Sequence, residues 1–472
     1  MSGSEELIKM TARQAVTALK KKEVKPVELV EAAISRIEKV DGEINALPVK
    51  MFDDARQAAK AFNEKADGKG PGWLAGLPFV AKEMNDVKGY PTTYGSPVFK
   101  DNIAKDTDNT VRVMQESGGI VMAKSNVPEF AGSNTFNSVY GKTRNPWDLR
   151  MSAGGSSGGA AAALASGTAW LAMGSDVGGS LRIPASYCGI VGLRPTPGRV
   201  ARGRKLLPFD PIWVEGPMAR NVDDLALMLD AQSTYVEEDP LSRPPPSVPF
   251  SEQIKAKQKG LKIAYSSNFG LTEVDKEVAE VTLAAAKRLA EIGAVVSEDC
   301  PDLRGSIDAF QTQRAVLFAS VHGETVKKER DRIPASIVWN IEKGLNITAD
   351  EVLRAERERQ RLVQVMRAFF EGVDFFVCPT VSVPPFIVEQ AYPTEINGRK
   401  METYIDWMAM TFVITVTGNP AISVPCGFTA TGLPIGLQIV GKHNTEGQLL
   451  ALAAQLEAVL KLPRTPIDPR KR

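Results

Sequence analysis

Gly154-Gly155-Ser156-Ser157-Gly158-Gly159, followed by Gly178-Gly179-Ser180-Leu181-Arg182, holds two glycine-flanked serines 24 residues apart, with a Gly/Ala-rich stretch between them. A serine hydroxyl is a weak nucleophile until a base takes its proton. The chain has only two histidines, His322 and His443, and neither is near these serines in sequence. That scarcity points to another base, and a lysine kept neutral by desolvation is the obvious substitute. The same glycines match G-x-S-x-G, the nucleophile elbow of α/β-hydrolases, and also invite a phosphate-loop reading. The elbow needs a strand before it, whereas Asn145 to Arg150 reads as loop. The phosphate loop needs G-x-x-x-x-G-K-[ST], or G-x-G-x-x-G after a strand, and the chain has neither.

Outward from the serines, short apolar runs alternate with breakers. Leu77 to Ala81 and Gly119 to Ala123 read as buried strands, and Thr107 to Glu116 between them reads as a helix. Ala421 to Pro425 and Pro434 to Val440 flank a Thr431-Gly432 turn and read as a strand pair. The first 70 or so residues are expected to be helical: Thr11 to Gln14 fits a capping box, and Pro26 suits the first turn of a helix running toward Val40. Residues 275–299, 350–371 and 447–460 are also expected as helices, and Gly158 to Gly174 as a core helix. Asp239 to Phe250 is proline-rich and reads as a long surface loop within one fold. The alternation predicts an α/β layered fold occupying 1–472 as one domain.

Bulk properties narrow the function classes. The 472 residues carry 57 basic and 56 acidic side chains, for a net charge of +1, so there is no long-range attraction for nucleic acid or an anionic membrane. Cys188, Cys300, Cys378 and Cys426 form no CxxC pair and no metal-site spacing, and they read as reduced thiols of a cytoplasmic protein. The start lacks a signal-peptide pattern. The basic tail Arg470-Lys471-Arg472 reads as solvated.

The stretch Gly154 to Arg199 resembles the signature region of the amidase signature family of serine hydrolases. Gly76 to Lys82, Lys124 to Phe130, Asn145 to Asp148, Gly418 to Pro425 and Gly432 to Gln438 resemble other family segments, in the family's order. The resemblance implies a large α/β/α domain with a mixed central sheet, often dimeric, and hydrolysis of a small-molecule amide without metal or cofactor. It implies a triad of Ser180 as nucleophile, Ser156 (after a cis Gly155–Ser156 peptide) as relay and Lys82 as base. The backbone N–H groups of Val177, Gly178, Gly179 and Ser180 would form the oxyanion hole.

Singly, these residues say little: a lysine after an apolar run is usually a surface residue, and Gly-Ser clusters are usually turns. Their joint order lifts them above that background. Ser157, Asp176 and Arg182 are expected to brace the site, and Ala131 and Ile183 to touch substrate. Glu83, where the family has Asp, should point away from Lys82 by strand alternation. Cys188, His322 and His443 are expected to be structural or exposed. The pocket walls are expected within 303–400, and Phe136, Tyr140 and Trp339 hint at an aryl or aliphatic amide. The alternative within the family is the A subunit of a glutamine-dependent tRNA amidotransferase. That protein commonly carries Gln where this chain has Ile183.

Overall fold

Apolar runs too short for helices pair into one large sheet in the computed structural model, which describes residues 2–62, 70–202 and 207–469. Its strands are β1 (Val49–Lys50), β2 (Pro78–Lys82), β3 (Ile120–Ser125), β4 (Leu171–Asp176), β5 (Val191–Arg194), β6 (Val214–Ala219), β7 (Lys262–Tyr265), β8 (Val295–Glu298), β9 (Phe375–Pro379), β10 (Ala421–Phe428) and β11 (Pro434–Val440). They lie in the order β1-β3-β2-β4-β6-β5-β10-β11-β9-β7-β8. The sheet is mixed: β2 runs parallel to β3 and β4, β7 parallel to β8 and β9, and the other pairings are antiparallel. β2, β3, β4, β6 and β9 are buried along their whole length, as strands covered by helices on both faces must be. The expected α/β class with a mixed central sheet is what the fold has.

The helices that matter for the site are α1 (Pro26–Ile44), α2 (Gly158–Ser166), α3 (Arg182–Cys188), α4 (Ser306–Glu329), α5 (Ala335–Leu345) and α6 (Ala409–Thr417). Every residue of α2 is buried, and its sequence GGAAAALAS explains how. Small side chains let the helix approach the strands closely; a Cβ on Gly159 would lie 2.4 Å from the backbone nitrogen of Asn126. The capping box at Thr11 forms, with Gln14 accepting from the Thr11 N–H and Thr11 from the Gln14 N–H.

Three sequence expectations are corrected. The core helix expected to Gly174 stops at Ser166, because Gly167 caps it at φ +74°, and the chain re-enters the sheet as β4. The helix expected over 275–299 ends in a short 3-10 turn, where Gly293 at φ +81° redirects the chain into β8. The segment expected as loop before Ser156 contains a small antiparallel pair, Arg144–Asn145 with Asp148–Ser152. The basic tail 470–472 lies outside the described residues. Among the described residues, no helix is long and apolar enough to cross a membrane.

Candidate active site

Lys82 is the last residue of β2, and its side chain is fully buried. Val80 pairs with Ala172 of the parallel neighbour β4, so two residues further on Lys82 comes level with the end of β4. There Lys82 Nζ donates to Ser156 Oγ at 2.8 Å and to Ser175 Oγ at 2.9 Å. Burial pushes the Lys82 ammonium down to about 8, against the nearby carboxylates of Glu215 and Asp176, which pull it up. A lysine in that range can give and take a proton near neutral pH, which an ordinary surface lysine cannot. Glu83, by contrast, is turned away: its carboxylate accepts the Thr93 N–H at 2.5 Å and is raised by burial.

Ser156 follows a cis peptide, Gly155–Ser156. Gly155 has no room for a side chain, since a Cβ there would lie 2.0 Å from the Ser133 carbonyl oxygen. Ser157 precedes the first residue of α2 without capping it through its side chain; its hydroxyl exchanges long 3.4 Å hydrogen bonds with the Ser175 backbone, while its N–H reaches the Ser180 carbonyl at 3.3 Å. Ser180 sits on the tight turn between β4 and α3. Gly179 in that turn takes φ +125°, and a Cβ on it would lie 2.2 Å from Thr411 Oγ1. Thr411 of α6 also donates to the Gly178 carbonyl at 2.7 Å, so the turn is pinned from the far side.

Asp176 anchors this turn rather than facing the cavity. Its carboxylate accepts the N–H groups of Gly179 and Leu181 at 3.0 and 3.2 Å and pairs with Arg182 and Arg194 at 3.0 and 3.1 Å. Burial alone would raise it, but the two guanidinium groups hold it at about 2. Arg182 then reaches Gln438, the Thr411 carbonyl and Thr415, tying the turn to β11 and α6. The Gly179 N–H is thus committed to Asp176. The N–H groups of Val177, Gly178 and Ser180 have no intramolecular acceptor among the described residues.

Ser156, Ser175, Val177, Gly178 and Ser180 open onto a cavity of about 340 Å³. Its long wall is one face of α4: Phe310, Arg314, Leu317, Phe318, Val321, His322 and Thr325 follow the i, i+3, i+4 spacing of a helix stripe. Of residues 303–400, those lining this cavity all lie on α4. The wall adjoining α4 was not foreseen; it includes Tyr94, Phe99 and Phe130, whose rings meet edge to face at 5.4 and 6.1 Å. Phe130 and Ala131 adopt φ +47° and +57°, a left-handed backbone that non-glycine residues take only when their surroundings enforce it.

Ala131, expected to touch substrate, lines the cavity. Ile183 does not: it is buried against Gly179, because the first turn of α3 points it into the core. Phe136 and Trp339 are exposed instead of lining the cavity, and Tyr140 is absent from its walls. His322 was expected to be structural or exposed, yet it lines the cavity with its ring 4.3 Å from that of Phe130, and burial lowers it to about 4, so the imidazole is neutral. His443 is remote, bonded to the Thr417 carbonyl at 3.0 Å. Sequence reasoning assigned no role to Ser175 and Arg194, although both lie in the Gly154–Arg199 stretch, nor to Glu215, which strand pairing alone places. Glu215 sits directly across from Ser175.

Comparison with known proteins gives the same picture. The amidase family model matches residues 28–450. An acylamidase of Rhodococcus erythropolis is 36% identical over 457 residues, covering 95% of each chain. The glutamyl-tRNA(Gln) amidotransferase A subunit of Moorella thermoacetica is 33% identical over 485 residues, covering 96% of this chain and 97% of its own. The crystal structure of a bacterial aryl acylamidase of the amidase signature family superposes with a TM-score of 0.91 at 28% identity, covering 98% of this chain and 99% of its own. With a matching family model, a matching fold and a buried lysine hydrogen-bonded to the signature serine, this chain belongs to the amidase signature family and is an amide hydrolase.

Proposed function

We propose that the protein hydrolyses small aryl or aliphatic amides through an acyl-enzyme on Ser180, with Lys82 as the base acting through Ser156. The observation that carries this reading is the 2.8 Å contact between a fully buried Lys82 Nζ and Ser156 Oγ at the floor of an aromatic-walled cavity. Neutral Lys82 takes the Ser156 proton as Ser156 takes that of Ser180, and Ser180 Oγ attacks the amide carbon. Negative charge then develops on the carbonyl oxygen, and the N–H groups of Val177, Gly178 and Ser180 are free to receive it. The Gly179 N–H contributes indirectly, by holding the turn on Asp176. The Lys82 ammonium returns a proton to the leaving amine, and water reverses the relay to release the acid. Esters and carbamates fit the same sequence of steps.

The rival reading is an amidotransferase component acting on glutamine, and the Moorella thermoacetica relative supports it. The apolar rings along the cavity favour the amidase reading, as does the higher identity to the acylamidase. A serine-reactive fluorophosphonate followed by peptide mapping tests the mechanism, and turnover of anilides against glutamine tests the substrate class. We expect an adduct on Ser180 that slows sharply in Lys82→Ala, and faster turnover of anilides. An adduct on Ser156 or Ser157 that is indifferent to Lys82 would overturn the triad, and rapid glutamine turnover would overturn the substrate class.

A further inference from the structure

Among the apolar residues of the α4 wall stands one cation, Arg314, which is 4% exposed. Among the described residues, no carboxylate lies within ion-pair distance of it. Its guanidinium instead donates to Asn340 Oδ1 at 2.6 Å, to the Tyr404 hydroxyl at 2.6 Å and to the Gly132 carbonyl at 3.3 Å. Those three bonds leave two of the five guanidinium N–H groups without an intramolecular acceptor. The group is also braced by rings, with its central carbon 4.4 Å from the centre of Phe318 and 5.2 Å from that of Tyr404. A buried cation with neutral partners and unused donors lacks the compensation that such groups ordinarily have.

Its position gives the deficit a meaning. Phe310, one helical turn before Arg314, packs on Gly178, where a Cβ would lie 3.1 Å from its Cζ. One turn of helix rises about 5.4 Å, so the Arg314 backbone lies about that far along α4 from the residue that packs on the Ser180 turn. Asp86 and Asp108 also border the cavity, from the segment following β2, and they disfavour an anion near them.

We infer that Arg314 is a specificity-determining residue that selects amide substrates carrying a carboxylate a few bonds from the scissile group. This rests on the amidase reading above. The test uses two substrates of matched length: a monoanilide of a short dicarboxylic acid, with its free carboxylate, and the methyl ester of the same compound. Anilide cleavage is followed by aniline release in wild type, Arg314→Lys and Arg314→Gln. Wild type should favour the free acid in kcat/KM by about tenfold, the scale of one charge-assisted hydrogen bond, and the preference should shrink as salt is added. Arg314→Lys should keep part of that ratio and Arg314→Gln should lose it. Because the readout is a ratio within each variant, a general loss of folding or catalysis cancels. Equal rates for acid and ester in wild type, or an unchanged ratio in Arg314→Gln, would overturn the inference. Failure of wild type to cleave either anilide would instead count against the amidase reading itself.

Discussion

The two sides of the cavity are built by different means. On the β2–β4 side, Lys82, Ser156 and the Ser180 turn are packed so closely that Gly155, against the Ser133 carbonyl, and Gly179, against the Thr411 side chain, have no space for a side chain. Asp176 and its two arginines then lock the turn from beneath. On the α4 side, side chains project into the cavity from one helix face. On the reading proposed above, the difference divides the labour: chemistry on the first side, selectivity on the second. Proton transfer tolerates errors of a few tenths of an ångström, and close-packed backbone supplies that precision. Selectivity needs only a shape, and a helix stripe can change its shape one residue at a time.

The sharpest way to break this contrast is at Lys82. Lys82→Met should lower kcat/KM for an anilide by roughly 10²–10⁴-fold, measured by steady-state kinetics. Adding Ser156→Ala to it should cost little more, because the two act as one relay. Additive losses would mean that Ser156 and Lys82 work separately.

Asp176 comes next. Asp176→Asn leaves Arg182 and Arg194 buried without their counter-charge, and it should destabilise the fold by about 3–5 kcal/mol in urea unfolding. The sign with pH follows from its lowered value. Asp176 contributes stability above its ordinary 3.8, and that contribution drains away as pH falls toward about 2. The variant should therefore lose less stability than wild type over that window. Equal losses would show that the ion pairs do not anchor the turn.

The pH profile separates the two sides directly. The base must be neutral, so kcat/KM should climb about tenfold per unit below the Lys82 value and level off above about 8. Changes on the α4 wall should leave that midpoint in place. A midpoint near the ordinary lysine value would show that burial does not tune Lys82.

The smallest effect is expected on the helix itself. Leu317→Ala enlarges the cavity, and it should shift the kcat/KM ratio between a bulky and a small acyl anilide by about tenfold in favour of the bulky one. A shift in the pH midpoint instead would join the two sides into one unit.

Much of the first side was legible in the sequence. Lys82 follows an apolar run that reads as a strand, and Ser156 and Ser180 sit among glycines, but it was the resemblance of these segments to the amidase signature family that marked them out as a triad. The second side was not. Tyr94, Phe99, Phe130 and the α4 stripe share no local pattern that distinguishes a cavity wall from core. Phe136 and Trp339 looked equally suitable and turned out to be exposed. Gly167 and Gly293 ended two helices sooner than periodicity suggested, because apolar spacing alone cannot tell a buried strand from a continuing helix.

By itself, then, the sequence determined the class of fold and the order of its segments, which depend on local pattern, and through its resemblance to a family it pointed to Lys82, Ser156 and Ser180. Tertiary structure alone decided that Lys82 would be stripped of water and set 2.8 Å from Ser156, that Glu215 and Ser175 would surround it, and that α4 would turn Arg314 and a row of rings toward Ser180. Those properties arise from burial and from pairing between residues far apart in the chain, and a lysine's proton affinity or a pocket's lining exists only once those residues have met.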